Sequence, residues 1–170
     1  MEISIRPWRL SDVEALAVNL NDREILDNLR DGLPFPYTAA DARNYIDAMM
    51  AADRDICFAC AICLDDAAVG SLSISRGENI HRRTAELGYY LGREYWGRGI
   101  ATAAVGEACR QVFNATDVLR IFAQPFAENA ASCRVLEKNG FKLEGVLRAN
   151  AIKNGRVRDM KMYSLIKEGI

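Results

Sequence analysis

Apolar and polar positions change period several times along the chain, and each change marks an element. Alternation from Ile3 to Trp8 predicts a first strand, and Pro7 near its end, which cannot donate to a ladder, predicts a place at a sheet edge. A helix follows, with Ser11 as its cap, Asp12 and Glu14 complementing its positive end, and Val13, Leu16, Ala17 and Leu20 on its apolar face. Asn21 to Arg30 reads as a second short helix. The run Gly32-Leu33-Pro34-Phe35-Pro36-Tyr37 must be irregular, because its prolines lack a donor and hold their predecessors extended. Thr38 with Asp41 three residues on predicts a capped helix whose face is Ala42, Tyr45, Ile46, Met49 and Met50.

Three strands come next, Ile56–Leu64, Ala67–Ser75 and Thr84–Leu91, joined by polar turns into an antiparallel meander. From Gly99 the period lengthens: Ile100/Ala101, Ala104/Val105, Ala108/Cys109 and Val112/Phe113 recur every four residues, which predicts an amphipathic helix. Leu119–Ala123 is a short buried strand, and Glu128 to about Lys138 is a helix stopped by Asn139-Gly140. Strands Phe141–Ile152 and Val157–Ile166 flank the turn Asn154-Gly155. The order β, helices, βββ, α, β, α, ββ gives an α+β fold rather than a doubly wound sheet.

Composition narrows the function classes. The 170 residues, 50% hydrophobic and 26% charged, suit one globular domain spanning 1–170, and a net charge of −1 carries no nucleic-acid footprint. No apolar run approaches the roughly 20 residues a bilayer demands, and Met1 to Arg6 lacks a secretory pattern, so the expectation is a cytoplasmic protein without membrane contact. Charge is nonetheless uneven. Residues 1–66 carry 6 basic and 13 acidic side chains, whereas 117–170 carry 10 and 6, a split that suits one anionic and one cationic ligand or simply solubility. Cys57, Cys60 and Cys63 mimic a metal-ligand spacing, but on a strand Cys60 faces away and the outer pair lies about 20 Å apart, too far to share a zinc. Cys109 and Cys133 fall in helical patterns as small hydrophobes.

The segment from Leu87 to Thr102 carries the clearest chemistry. A strand ends, Gly97 and Gly99 let the backbone curl, and a helix begins, so several N–H groups converge where the macrodipole favours an anion. This is a phosphate cradle or a tight turn that needs glycine for conformation alone. A dinucleotide fingerprint would want a small residue where Thr102 stands and a parallel βαβ setting; a P-loop would want Gly-Lys-Ser/Thr after a longer spacing.

Three blocks together resemble the GNAT superfamily of acetyl-CoA-dependent N-acetyltransferases. The first is Tyr95-Trp96-Gly97-Arg98-Gly99-Ile100-Ala101-Thr102, similar to the family's Gln/Arg-x-x-Gly-x-Gly/Ala loop but with Trp96 at its first position, as in the ribosomal-protein N-terminal (RimJ/RimL-type) branch. The second is the Asn129-x-x-Ser132 helix ending in Gly140-Phe141, and the third is Leu143-Glu144-Gly145-Val146-Leu147-Arg148 followed by Asn154-Gly155, Asp159 and Tyr163. The resemblance implies a mixed, mostly antiparallel central sheet flanked by helices, with a splayed strand pair forming the acetyl-CoA cleft. It implies pantetheine beside Tyr89, Tyr90 and Leu91, the pyrophosphate on the amides of Gly97, Arg98, Gly99, Ile100, Ala101 and Thr102, and Asn129 on the pantetheine. Trp96 joins this set or packs beneath the loop. No metal is implied, and a homodimer is compatible with the family.

Direct attack on a thioester requires a neutral amine, a polarised carbonyl and a proton for the departing thiolate. Glu86, on the strand face of Gly88 and Tyr90, is the candidate base; its alternative is a paired strand carboxylate. Where many relatives carry a tyrosine acid this chain has Leu136, so the resemblance points to Ser132, whose alternative is a helix serine bonded to its own backbone. The branch's glutamate before Asn154-Gly155 is replaced by Ala151. Neutralising a lysine at pH 7 costs about 4.6 kcal/mol and an α-amine only about 1–1.4, so one carboxylate suits an α-amine, and a protein N-terminus is the favoured acceptor. The acidic N-terminal third and the Pro34–Tyr37 loop, which the family uses as the acceptor wall, agree with a cationic substrate. The rivals are acetylation of a small amine (a polyamine, antibiotic or amino acid) and a non-catalytic acyl-CoA sensor. His81, the sole histidine, sits in a polar turn and reads as solvated.

Overall fold

The computed structural model describes residues 1–170. Seven strands, β1 (Ile3–Arg6), β2 (Cys57–Leu64), β3 (Ala67–Arg76), β4 (Thr84–Leu91), β5 (Arg120–Ala123), β6 (Lys142–Lys153) and β7 (Arg156–Ile166), form one sheet in the order β1-β2-β3-β4-β5-β7-β6. Every neighbouring pair is antiparallel except β4 and β5. That pair is parallel because α4 (Ile100–Ala115) crosses over between its strands, which a hairpin could not do. The two hairpin turns have the left-handed pairs of residues that match strand twist: Asp65 and Asp66 at φ +49° and +66°, Asn154 and Gly155 at +52° and +73°.

Helices cover both faces. On one side α1 (Val13–Leu20), α2 (Arg23–Leu26) and α3 (Ala39–Ala51) bury Leu16, Leu20, Ile25 and Ile46 against Ala59, Ala61 and Cys63. On the other, α4 and α5 (Ala130–Lys138) bury Ile100, Val105, Val112 and Leu136 against Ile62, Leu72, Ile74 and Leu87. The second core is the larger, 20 buried residues against 12, so the element that opens at Gly99 is the most firmly seated helix of the molecule. Asn139, just past α5, donates to the carbonyl of Thr102 at 3.1 Å, which ties the start of α4 to the end of α5. No helix is long and apolar enough to cross a membrane.

Three local expectations are corrected. The first strand stops at Arg6, although Trp8 is buried with its ring edge against Tyr45. Ser11 caps nothing. A 3-10 turn, Leu10–Asp12, precedes α1, and Asp12 accepts the Arg9 N–H (2.9 Å) and the Arg6 guanidinium (2.8 and 2.9 Å). The helix expected over 21–30 is a single turn, because Asn28 donates to the Glu24 carbonyl at 3.1 Å and closes it. By contrast, the Thr38–Asp41 capping box forms as the spacing predicts.

Candidate functional site

After β4 the chain makes a 3-10 turn over Arg93–Tyr95, then passes through Gly97 (φ +72°) and Gly99 (φ +77°) into α4. A Cβ at either glycine would meet nothing within 4 Å, so the requirement is for left-handed backbone and not for space. The consequence is a run of donors. The six N–H groups from Gly97 to Thr102 find no acceptor within the protein, and they stand at the positive end of a 16-residue helix. Ile100 is fully buried, its side chain seated in the α4–α5 core. The Trp96 indole N–H donates to the Leu91 carbonyl at 3.0 Å, pinning the loop to the strand it left, while the ring stays partly exposed.

β4 and β5 part beside this corner. Their last paired residues are Glu86 and Phe122; β4 stays bonded to β3 as far as Leu91, while Ala123 pairs only with Tyr163 on β7. From Leu87 onward β4 therefore presents an open edge toward β5. Ala85, Leu87, Tyr89 and Leu91 turn to the α4–α5 core, and by alternation Glu86, Gly88 and Tyr90 turn to the α1–α3 side, where Tyr90 packs. Burial pushes the Tyr90 phenol well above its ordinary range.

The two candidate proton carriers sit on opposite faces of that strand. On the α5 side the Asn129 side-chain oxygen caps the helix by accepting the Ser132 N–H at 3.1 Å, which leaves its amide nitrogen as the group able to meet a ligand. Ser132 Oγ lies 2.7 Å from Tyr89 Oη, which also reaches the Ser132 carbonyl at 3.1 Å. Burial pushes the Tyr89 phenol up to about 12, against the pull of the Ser132 hydrogen bond, so the pair stays protonated. On the other face Glu86, its side chain 32% exposed, is held by both terminal nitrogens of Arg30.

A groove of about 310 Å³ opens next to Arg30, lined by Leu29–Asp31, Gln124, Phe126, Asn150–Lys153 and Met160. Its walls are joined by polar contacts between distant parts of the chain: Lys153 to Asp31 (2.9 Å), Asn154 to Asp27 (2.8 Å) and Arg158 to the Asp27 carbonyl (2.9 Å). Arg158 lies over the Phe126 ring at 3.7 Å, and Arg93 holds Asp22 and Glu24 nearby. Much of the acidity of the N-terminal third is thus matched by the chain's own bases, and the groove is walled by Leu29–Asp31 rather than by the Pro34–Tyr37 loop. The wall from β6 contains a bulge. Leu147 pairs with Met160 and Ala151 with Arg158, so Arg148, Ala149 and Asn150 stand opposite Asp159 alone. Ala149 is left-handed (φ +51°), and its N–H donates to the Asp159 carboxylate at 2.7 Å.

The structure thus gathers Tyr89, Ser132 and Asn129, and places Glu86 where the β4–β5 pairing ends and the Gly97–Thr102 amides past the end of β4. Sequence reasoning missed Arg30 and the groove, for no local pattern marks a partner 56 residues away. Asp159 was visible as a member of the third block, without its role.

The likeness to known proteins agrees with this geometry. A family model described as acetyltransferase (GNAT) domain matches residues 2–142. The uncharacterized N-acetyltransferase p20 of Bacillus licheniformis is 28% identical over 169 residues, 97% of this chain and 93% of its own. YoaA of Bacillus subtilis, also an uncharacterized N-acetyltransferase, is 37% identical over 99 residues, and the match spans only 58% of this chain and 55% of that protein. Mycobacterium smegmatis RimJ, solved in complex with CoA-disulfide, superposes with a TM-score of 0.87 at 28% identity, covering 98% of this chain and 82% of RimJ. With the amide-lined corner, the parted strands and a family model over most of its length, the chain belongs to the GNAT family and is an acetyl-CoA-dependent N-acetyltransferase.

Proposed function

We propose that residues 1–170 act as one catalytic domain that moves an acetyl group directly onto an α-amine, with the N-terminus of a polypeptide as acceptor. Acetyl-CoA supplies the activated acyl carbon. The amides of Gly97 to Thr102 suit its diphosphate, the open edge of β4 at Tyr89, Tyr90 and Leu91 suits the pantetheine as an added strand, and the free amide of Asn129 lies on the same path. Glu86 takes a proton from the entering ammonium, directly or through water, and Ser132, backed by Tyr89, gives one to the leaving sulfur. A C–N bond forms as the C–S bond breaks, and the products are the amide, the free thiol and one proton.

The observation that carries this reading is the placement of Glu86 and the Tyr89–Ser132 pair on opposite faces of β4, beside the point where it leaves β5. A proton acceptor and a proton donor so arranged flank a thioester lying in the gap, with no need for an acyl-enzyme. A single, partly exposed carboxylate also matches the small cost of neutralising an α-amine. The test is acetyl transfer to a peptide library, each product mapped by mass spectrometry. Acetylation at α-nitrogen is expected; transfer to lysine Nε alone, or none with any amine, would overturn the reading. The groove's volume of about 310 Å³, at the small end for ligand sites, supports a second reading in which the acceptor is a small amine such as an amino acid.

A further inference from the structure

We infer that Arg30 reads an anion on the acceptor, so that the preferred amine carries a carboxylate a few bonds away. The inference rests on the proposed transfer to an α-amine at Glu86 and names what else the substrate must bring. The starting observation is that the candidate base is already occupied: Arg30 Nη1 approaches Glu86 Oε2 at 3.4 Å, and Nη2 meets the other oxygen. An entering ammonium must share or replace that guanidinium.

The charged residues that line the groove are paired as they stand: Lys153 with Asp31, and Arg30 with Glu86, which lies just beyond the lining. These differ in how firmly they are held. The Lys153 side chain is 11% exposed and bonded to Asp31 at 2.9 Å, so it belongs to the wall, whereas the Arg30 side chain is 67% exposed and sits at the rim. An exposed pair of this kind is weakly held, because water solvates both partners almost as well as they solvate each other. Arg30 is therefore the charged group able to change partner.

Charge bookkeeping then selects the substrate. A cation with no anion of its own, such as a polyamine, would reach Glu86 and leave Arg30 as a like charge at its side. An acceptor with an amine and a carboxylate close together replaces both partners at once: its ammonium goes to Glu86 and its carboxylate to Arg30, whose planar fork suits two carboxylate oxygens. The chemistry is shared by a polypeptide that begins with aspartate or glutamate and by a free α-amino acid.

The experiment uses two matched pairs that differ only in the carboxylate: tetrapeptides beginning with aspartate or asparagine, and free L-alanine or L-alaninamide. Thiol release gives kcat and KM for each, and the thermal shift produced by each acceptor without acetyl-CoA gives binding independently of turnover. In the wild type the carboxylate member of one pair is expected to have at least tenfold higher kcat/KM, through KM, and the larger thermal shift; which pair responds separates the peptide from the amino acid. In Arg30→Gln the ratio should fall toward one, and in Arg30→Glu it should invert. Equal use of both members by the wild type overturns the role of Arg30 while leaving the α-amine reading intact. Failure of every α-amine, with transfer to a blocked lysine peptide, removes that reading and this inference with it.

Discussion

At the corner between β4 and α4 the groups that face outward are backbone amides, supplied by residues consecutive in sequence and aimed by two left-handed glycines. In the groove beside Glu86 they are side chains, drawn from α2's outgoing loop, the end of β5 and the β6–β7 hairpin, and joined by ion pairs spanning up to 122 residues. The first surface is set once the local backbone is set. The second exists only when the whole sheet is assembled, and its charges can be rearranged without moving the chain. Under the proposed function, the part that holds the same coenzyme in every turnover is made of backbone, while the part that would choose an acceptor is made of exchangeable side chains.

That contrast can be broken by changes confined to one region. The largest effect is expected from Glu86→Gln, which should lower kcat by on the order of 100-fold, since positioned acid or base groups contribute at least that much, with acetyl-CoA affinity by calorimetry unchanged. A kcat within threefold of wild type would remove Glu86 from the chemistry. Gly99→Val forces a β-branched residue into left-handed backbone and should raise the KM for acetyl-CoA by roughly 10- to 100-fold while leaving the acceptor KM alone. Equal changes in both constants would show that the two regions are not separable.

Ser132→Ala should lower kcat by about tenfold, less than Glu86→Gln because a thiolate is already a fair leaving group without a proton. Tyr89→Phe should do the same, and the double variant should cost little more than either alone if the hydroxyls act as a unit. With the Tyr89 phenol raised to about 12, it is protonated at every pH below that, so the alkaline limb of the kcat profile up to pH 10 should be the same in wild type and Tyr89→Phe. Asp159→Asn weakens the anchor of the Ala149 bulge and should raise the acceptor KM about fivefold, roughly the difference between a charge-assisted and a neutral hydrogen bond; Ala149→Gly in that background should recover part of it. Trp96→Phe loses one indole hydrogen bond and should raise the acetyl-CoA KM about threefold, with no effect on the acceptor.

The same contrast governs what could be read from sequence. The meander, the helix opening at Gly99 and the Thr38 cap follow from periodicity and short-range spacing, and all three appear where expected, with β4 running over Thr84–Leu91 as predicted. The errors lie where tertiary contacts override local preference. Asn21–Arg30 has helical character, but its outgoing half is bound by Glu86 and by the β6–β7 hairpin, so only one turn of helix survives. Ser11 is a good cap by type, yet the turn it occupies is shaped by the buried Asp12, which the half-buried Arg6 holds. In the site, Gly97 and Gly99 announce themselves because the conformation they adopt is rare for other residues. Nothing comparable marks Arg30, one of 22 basic side chains, whose meaning depends on what stands opposite it in space.

The bulge at Ala149 has a consequence for how this hairpin can vary. Between Leu147 and Ala151 the outer strand takes two more residues than its neighbour, an even number, and Gly145, Leu147, Ala151 and Lys153 all remain half-buried on either side of the insertion. A single extra residue would have turned Lys153 outward and separated it from Asp31. Length can therefore be added to or removed from this rim in twos without reversing the hairpin's inside and outside, which leaves the mouth adjustable in size while its hinge to the sheet keeps its phase.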